Sequence, residues 1–443
     1  MHDGNYFRGK KITVLGLGLL GRGAGDAQFL ARSGAELIVT DLKNEEHLAP
    51  SLKRLKKFNN ISYTLGRHDL KDFRDRDFIL KAAGVPLDSP YIAEAKKHGV
   101  PIEMSASLCA RLSGATIIGV TGTRGKSTTT HLLYHILKSA GKRVHLGGNV
   151  RGVSTLALLP KIKEGDYLVL ELDSWQLQGF GEAGISPHIA VFTNFLSDHL
   201  NYYQGDEKRY FEDKANIFKY QTEEDVLIAG KQVIRYIVQL GFRSKIKSSL
   251  IEGRPLPKSW KIKLLGEHNR ENAALAVETA RACGISERQI RKAVEPFKGV
   301  PGRLELVRTL RGIKVYNDTT ATTPDATIAA LKTLSPNDGL RKSIILIMGG
   351  ADKGLNITPL LKVLPKTCKV VFLLAGTGTE KIMRAIAEKE GPFDTLKKAL
   401  TEALACAKRG DTILFSPAFA SFGMFKNEFD RGDQFASIVK KLK

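Results

Sequence analysis

Two stretches of the sequence place a glycine-rich loop between an apolar run and a helix-like pattern. "KITVLGLG" (11–18) leads into Gly16-x-Gly18-x-x-Gly21, and "ATIIGVTG" (115–122) leads into "TRGKSTTT" (123–130). A strand that ends in a glycine turn and continues as a helix begins a strand–helix–strand unit, whose strands are parallel. The sequence therefore predicts an α/β fold around each loop.

The same alternation continues along the 443 residues, which exceed one ordinary hydrophobic core. We expect three α/β domains in series: a Rossmann-like N-terminal domain (1–111), a central P-loop-type ATPase domain with a mainly parallel sheet (112–299) and a C-terminal Rossmann-like domain (300–443). Further strands are predicted at 36–41, 77–84, 166–172, 188–194, 312–318, 343–350, 369–376 and 411–417. Helices are predicted at 23–34, 127–141 and 268–284.

The chain is strongly basic, because 68 lysines and arginines stand against 46 aspartates and glutamates, a formal net charge of +22. Such a field attracts polyanions, and it leaves open a weak association with an anionic membrane surface. The basic residues are spread out and do not alternate with aromatic residues, so no dedicated nucleic-acid function is expected. No apolar run is long enough for a membrane span, and the N-terminus has no signal-peptide layout, so a cytoplasmic protein is expected. The four dispersed cysteines indicate neither a disulfide framework nor a zinc cluster.

The first glycine loop carries the full dinucleotide fingerprint. Asp41 follows Gly21 by 20 residues, at the end of the next predicted strand. The pattern indicates a ligand with a diphosphate, but it does not choose between NAD and a nucleotide sugar. An NAD-dependent oxidoreductase and a basic ATPase or nucleic-acid-binding protein therefore remain alternatives.

The second loop departs from the usual G-x-x-x-x-G-K-[ST] pattern, because Val120 stands where the first glycine is expected. Its turn, lysine and hydroxyl groups can nevertheless bind phosphate and magnesium. Glu171 and Asp173 end a later predicted strand, and His199 follows the next one. These residues are candidates for a metal and phosphate site.

The ordered motifs "GTRGKST", "ELDSWQL", "TNFLSDHL", "GEHNRENAALA", "GVPGRLE" and "SPAFASFGMFKNEFDRGDQF" resemble those of the Mur ligases over nearly the whole chain. The resemblance implies an ATP-dependent amide ligase of peptidoglycan precursor synthesis. ATP would phosphorylate the carboxylate of UDP-N-acetylmuramoyl-L-alanine, and the amine of D-glutamate would attack the acyl phosphate. The alternative within the family is a sister ligase with another amino-acid acceptor. The D-N-P-[RN] signature that is typical of the diaminopimelate- and lysine-adding members is absent, which favours D-glutamate.

The resemblance also implies the site residues. The catalytic residues would be Lys126, Glu171, His199 and Lys214. ATP would be bound by Gly122, Thr123, Arg124, Gly125, Lys126, Ser127, Thr128, Asn269, Asn272, Arg303 and Asp318. The UDP substrate would be bound by Gly18, Leu19, Leu20, Asp41, Asn149 and His199, and D-glutamate by Thr322, Lys353 and Ser421. One Mg²⁺ would use Ser127 and Glu171, and a second would use His199 and Lys214 carbamylated by CO2.

Three positions depart from the family pattern. Arg124 occupies a loop position where asparagine is common, "KAAGVP" (81–86) replaces a usual Ser-Pro-Gly turn, and Thr320 stands where a lysine is usual. A monomer is expected, since most members of this branch are monomeric.

Overall fold

The computed structural model describes residues 4–198, 202–335 and 342–442. The chain divides into two compact units. The first contains Met1–Trp260 and Glu271–Val294, and the second contains Lys261–Arg270 and Glu295–Lys443.

The first unit begins with a parallel five-stranded sheet in the order β3-β2-β1-β4-β5. Its strands are β1 (Lys11–Leu15), β2 (Glu36–Asp41), β3 (Ile61–Leu65), β4 (Phe78–Lys81) and β5 (Ile102–Glu103). Its helices are α1 (Arg22–Arg32), α2 (Glu45–Leu55), α3 (Pro90–Lys97) and α4 (Ser105–Ser113). The strand order reverses between β1 and β4, and ligands of such sheets bind in the crevice at the carboxyl ends of the two strands.

A second sheet of the first unit is also parallel and has six strands in the order β11-β10-β9-β6-β8-β7. These strands are β6 (Thr116–Thr121), β7 (Val144–Gly148), β8 (Tyr167–Glu171), β9 (Ile189–Phe192), β10 (Val226–Ala229) and β11 (Ser249–Glu252). The helices are α5 (Lys126–Ser139), α6 (Ser174–Glu182), α7 (Glu207–Ala215), α8 (Lys231–Gln239), α9 (Glu267–Ala282) and α10 (Glu287–Val294). Continuous apolar strands such as β9 are buried along their whole length, as expected for a sheet covered on both faces.

The second unit contains a mixed six-stranded sheet in the order β12-β13-β17-β14-β15-β16, in which β12 is antiparallel to β13. Its strands are β12 (Glu305–Leu310), β13 (Ile313–Asn317), β14 (Ile344–Gly349), β15 (Cys368–Leu374), β16 (Lys389–Phe393) and β17 (Thr412–Phe415). Its helices are α11 (Pro324–Leu334), α12 (Thr358–Thr367), α13 (Thr377–Ile382), α14 (Leu396–Cys406) and α15 (Glu428–Lys441). Separate apolar clusters cover the two faces of this sheet.

The predicted fold class, α/β sheets in an N-terminal, a central and a C-terminal region, is confirmed. The strands that the sequence did not predict lie mostly at sheet edges, where apolar residues are fewer; β3 and β12, for example, are only half-buried. The predicted boundary at 111/112 falls inside α4 and stays a prediction. All four cysteines are free thiols. Within the described ranges, no helix is long and apolar enough to cross a membrane.

Candidate active site

The loop between β6 and α5 needs glycine at two positions for a steric reason. Gly122 and Gly125 have φ angles of +142° and +82°. A Cβ atom on Gly122 would lie 2.0 Å from Thr193 Oγ1, and one on Gly125 would lie 2.1 Å from Asn272 Oδ1. Val120 is buried within β6, so the missing first glycine of the usual pattern is a strand residue here.

Lys126 is the first residue of α5, and its side chain folds back over the loop. Its Nζ donates to the carbonyl oxygens of Gly122 at 2.9 Å and Thr123 at 3.1 Å. Ser127 and Thr128, in the same helical turn, are buried. The first turn of a helix presents backbone N–H groups and a positive dipole end, so this loop can bind phosphate oxygens.

Arg124 is tied to the segment after β9. Its backbone N–H donates to Asn194 Oδ1 at 2.8 Å, and its guanidinium donates to Asp198 Oδ2 at 2.8 Å. Thr193 Oγ1 in turn donates to the Arg124 carbonyl oxygen at 2.6 Å. Arg124 therefore joins the glycine loop to the residues just before His199, which itself lies outside the described residues.

Glu171 ends β8 and pairs in register with Val120 of β6, beside the glycine loop. The residue is 4% exposed. Within the described part of the chain, its carboxylate accepts no hydrogen bond and has no cationic side chain within 4.0 Å. A buried carboxylate without a counter-charge is unfavourable, so this position suits a bound cation.

The donor set around the loop fits Mg²⁺. Among the described residues, no cluster of three or more histidine, cysteine, aspartate or glutamate side chains is placed so that it could hold a metal ion by itself. Magnesium, however, is commonly held by one or two carboxylates together with substrate phosphates and water. Glu171 and the Ser127 hydroxyl are ligand types that would suit such a partial shell.

Lys214 of α7 is enclosed beneath the same loop. It is 1% exposed, its Nζ donates to the Gly122 carbonyl oxygen at 3.0 Å, and the Nζ lies 4.9 Å from the centre of the Tyr210 ring. Burial, assisted by the nearby charge of Lys126, holds the pKa of the Lys214 ammonium well below its usual range, although Asp173 and Asp198 act in the opposite direction. The amine is therefore more readily deprotonated than a surface lysine.

The fingerprint residues of the first sheet meet at the crevice between β1 and β4. Asp41 Oδ2 accepts from the Gly18 N–H at 3.0 Å, which fixes the loop to the end of β2. Leu19 and Leu20 line a cleft of about 210 Å³ there. Asn149 accepts a hydrogen bond from the guanidinium of Arg22, the first residue of α1.

Sequence reasoning missed three charged residues that line this cleft: Arg22, Asp26 and Lys81. The available signal was a charge inside a segment that otherwise reads as apolar, such as the lysine in "DFILKAAG".

In the second unit, the structure brings Thr322 and Lys353 together, since Lys353 Nζ donates to Thr322 Oγ1 at 3.1 Å. Ser421 is buried. Thr320, in the usual lysine position, donates its hydroxyl to the Gly302 carbonyl oxygen at 3.0 Å. This hydrogen bond joins the segment before β12 to the one after β13, and the threonine supplies no charge.

Asp318 is buried at the end of β13 and accepts hydrogen bonds from the Leu304 N–H and from Ser416 Oγ. Burial raises the pKa of this carboxyl to about 7, against the opposing effects of those bonds and of Arg303. Asn269 donates to the Leu265 carbonyl oxygen at 2.8 Å, within the segment 261–270. The roles assigned to these residues stay predictions.

Three family profiles match the chain in order. They are described as the Mur ligase MurD-like N-terminal domain (residues 10–103), the Mur ligase middle domain (120–239) and the Mur ligase glutamate ligase domain (302–419).

Curated relatives match over nearly the whole length. A protein of Roseiflexus sp. (strain RS-1) is 38% identical over 98% of this chain and 99% of its own. One of Borreliella afzelii (strain PKo) is 37% identical over 97% and 98%. Both are named UDP-N-acetylmuramoylalanine–D-glutamate ligase.

Solved structures share the fold. The UDP-N-acetylmuramate–alanine ligase of Thermotoga maritima superposes with a TM-score of 0.62 at 20% identity, covering 98% of this chain and 100% of that one. The MurF ligase of the same organism, in complex with ADP, gives a TM-score of 0.60 at 19% identity, covering 100% and 96%.

Proposed function

Since the chain belongs to the Mur ligase family, we propose that it is the ATP-dependent ligase that adds D-glutamate to UDP-N-acetylmuramoyl-L-alanine in peptidoglycan precursor synthesis. The full-length relatives named for this reaction support the choice of substrates. The observation that carries the proposal is the β6–α5 loop, where Lys126 folds back over a turn that requires glycine and where, among the described residues, the buried Glu171 carboxylate has no cationic side chain within 4.0 Å.

In the first step of the reaction, an anionic carboxylate must attack the anionic terminal phosphate of ATP. ATP transfers its terminal phosphoryl group to the L-alanine carboxylate, the amine of D-glutamate attacks the acyl phosphate, and the intermediate collapses to an amide with release of phosphate. Lys126 and the first N–H groups of α5 stabilise the negative charge of the transferred phosphoryl group. Gly122, Thr123, Arg124, Gly125, Ser127 and Thr128 shape the loop that holds it.

Magnesium, when bound, neutralises phosphate charge during this transfer. Ser127 and Glu171 would hold one ion, while His199 and Lys214 would hold another. A neutral lysine amine reacts with CO2 to give a carbamate, which has the anionic oxygen that a magnesium ligand needs. The enclosed position of Lys214 supports this modification, because burial disfavours the ammonium form.

The remaining residues divide between the substrates. Gly18, Leu19, Leu20, Asp41, Asn149 and His199 would bind the UDP substrate. Asn269, Asn272, Arg303 and Asp318 would bind ATP. Thr322, Lys353 and Ser421 would bind the two carboxylates of D-glutamate, for which a lysine and hydroxyl donors are suitable partners.

Phosphate release from ATP tests the proposal. The full chain is incubated with UDP-N-acetylmuramoyl-L-alanine, Mg²⁺ and, in separate reactions, D-glutamate, L-glutamate, lysine or meso-diaminopimelate. Release with D-glutamate alone, together with a product heavier by one glutamyl residue, is expected. Release with a different acceptor would move the enzyme to a sister activity, and no release with any acceptor would contradict the proposal.

The Lys126→Met variant should lose nearly all phosphate release, whereas Lys138→Met, which changes an exposed lysine on the same helix, should retain it.

Carbamylation of Lys214 is tested separately by ¹³C NMR with labelled bicarbonate. A carbamate signal is expected in the wild type and in Lys208→Arg, an exposed position on α7, but not in Lys214→Arg. A bare amine at Lys214 in the magnesium-loaded enzyme would contradict the assignment.

A further inference from the structure

Lys81 is a buried lysine at the point where the strand order of the first sheet reverses. It ends β4 and pairs in register with Leu15, the last residue of β1. The loops that follow the two strands touch, since a Cβ atom on Gly16 would lie 2.9 Å from Ala82 Cβ. Lys81 therefore stands in the crevice where sheets of this topology bind their ligands.

The ammonium group of Lys81 is only partly satisfied by the protein. Its Nζ donates to the carbonyl oxygens of Val85 at 2.7 Å and Ala82 at 3.3 Å, and the residue is 2% exposed. A lysine ammonium has three N–H donors, so one is left over. Within the described ranges, no carboxylate oxygen lies within 4.0 Å of it.

The crevice contains groups that can bind an anion. Lys81 lines the same cleft of about 210 Å³ as Gly18 and Arg22. The first turn of α1 opens onto this cleft directly after the glycine loop and has no side-chain cap, so its backbone N–H groups and positive dipole end face a ligand there. Asp26 also lines the cleft, but its Oδ1 already accepts hydrogen bonds from the hydroxyls of Ser105 and Ser154.

The positive charge of Lys81 is retained near neutral pH. Burial lowers its pKa to about 8, and the carboxylates of Asp173, Asp213 and Glu182 oppose that shift. A buried cation that has a spare donor and no ion pair among the described residues, and a cleft beside it, gains from a ligand that brings negative charge.

We propose that Lys81 is a binding residue for the diphosphate of the nucleotide substrate, donating its third N–H to a phosphate oxygen opposite the start of α1. The inference rests on the proposed function for the identity of the nucleotide. The 81–86 turn, which departs from the family pattern, would then contribute a charged contact to the substrate. Lys81 thereby distinguishes ligands that carry a diphosphate from those that carry only the nucleoside.

Calorimetric titration of the full chain with uridine, UMP and UDP tests the inference. Lys81→Met should weaken UDP binding by about 10- to 100-fold, the range of a charge-assisted hydrogen bond, and change uridine binding by less than about twofold. Lys81→Gln removes the charge but keeps a donor for the turn, and it serves if the methionine variant does not fold. Lys97→Met, an exposed lysine on α3, is the matched control and should leave all three affinities unchanged.

The other possible outcomes of these titrations contradict the inference. Equal losses for uridine and UDP would show that Lys81 only holds the turn, and no loss for either would show that it contacts no ligand phosphate. Each of these overturns the inference, whereas a wild type that binds UDP through Lys81 but adds no D-glutamate would overturn only the proposed function.

Discussion

Asp26 shows how a single buried carboxyl makes stability depend on pH. It lies on α1, where Ser154 Oγ and Ser105 Oγ donate to its Oδ1 at 2.6 Å and 3.0 Å. Burial raises its pKa from 3.8 to about 6, although both hydroxyls and Arg22 oppose the shift. Because the folded state holds the proton more tightly than the unfolded state, ionisation of Asp26 lowers stability as pH rises from about 4 to 6.

The Asp26→Asn variant cannot ionise, so its stability relative to the wild type should increase by about 2 kcal/mol between pH 4.5 and pH 8. Chemical denaturation of both proteins across that range measures the difference. Asp88→Asn, an exposed aspartate, is the control. A difference that stays constant with pH would show that Asp26 titrates normally in the folded protein.

Alanine variants at Gly125 and Gly141 distinguish the cost of a left-handed backbone from the cost of a steric collision. Both have a left-handed backbone, with φ of +82° and +80°, but only a Cβ on Gly125 would collide with Asn272, while Gly141 has nothing within 4 Å. Alanine at Gly141 should therefore cost about 1 to 2 kcal/mol of stability and leave phosphate release intact. Alanine at Gly125 should lower phosphate release at least about 100-fold, since displacement of the loop misplaces the reacting groups. Equal activity of the two variants would contradict this account.

At the scale of elements, α15 holds two loops of the second unit through one buried arginine. Arg431 is 1% exposed, and it donates to Thr319 Oγ1, the Thr319 carbonyl oxygen and the Phe419 carbonyl oxygen at 3.2, 2.8 and 3.2 Å. A Cβ on the adjacent Gly432 would lie 2.4 Å from Thr319 Cγ2, so the helix packs tightly on the loop. These loops lead to Thr322 and Ser421, the proposed D-glutamate contacts.

Arg431→Lys should raise the KM for D-glutamate about 10-fold or more and leave UDP binding unchanged, because one ammonium cannot replace the planar fork of donors. Unsatisfied buried carbonyls should also lower stability by about 2 to 5 kcal/mol. Steady-state kinetics with each substrate varied in turn measures the split, with the exposed Arg384→Lys as control. If both KM values rose together, Arg431 would act on folding as a whole.

Elements with continuous apolar runs were predictable, and elements at edges were not. The strand at 343–350 was predicted because an apolar run of that length fits a fully buried strand, and β14 occupies Ile344–Gly349. β16, with the sequence KEGPF, has no such run and is defined only by its pairing with β15. The chemistry of the glycine loops was likewise readable, whereas Lys81 and Asp26 owe their importance to tertiary burial, which local sequence does not encode.

At the scale of the whole molecule, the net charge of +22 predicts a weak, salt-sensitive attraction to anionic surfaces. Each basic residue close to an anionic bilayer contributes about 1 kcal/mol, and the effect falls off within a screening length of about 10 Å at 0.1 M salt. Co-sedimentation with anionic vesicles should therefore be measurable at about 50 mM salt and nearly lost by about 300 mM, since the screening length shortens as salt increases.

Vesicles of zwitterionic lipid provide the control for this last prediction, because they carry no net charge to attract the protein. Binding to them, or binding to anionic vesicles that persists in high salt, would indicate an apolar contact in place of a field effect. Duplex DNA of matched charge distinguishes a general attraction from one for lipid. Comparable salt-sensitive binding to both surfaces would assign the excess charge to non-specific electrostatics, because neither partner would then be recognised by its shape or chemistry.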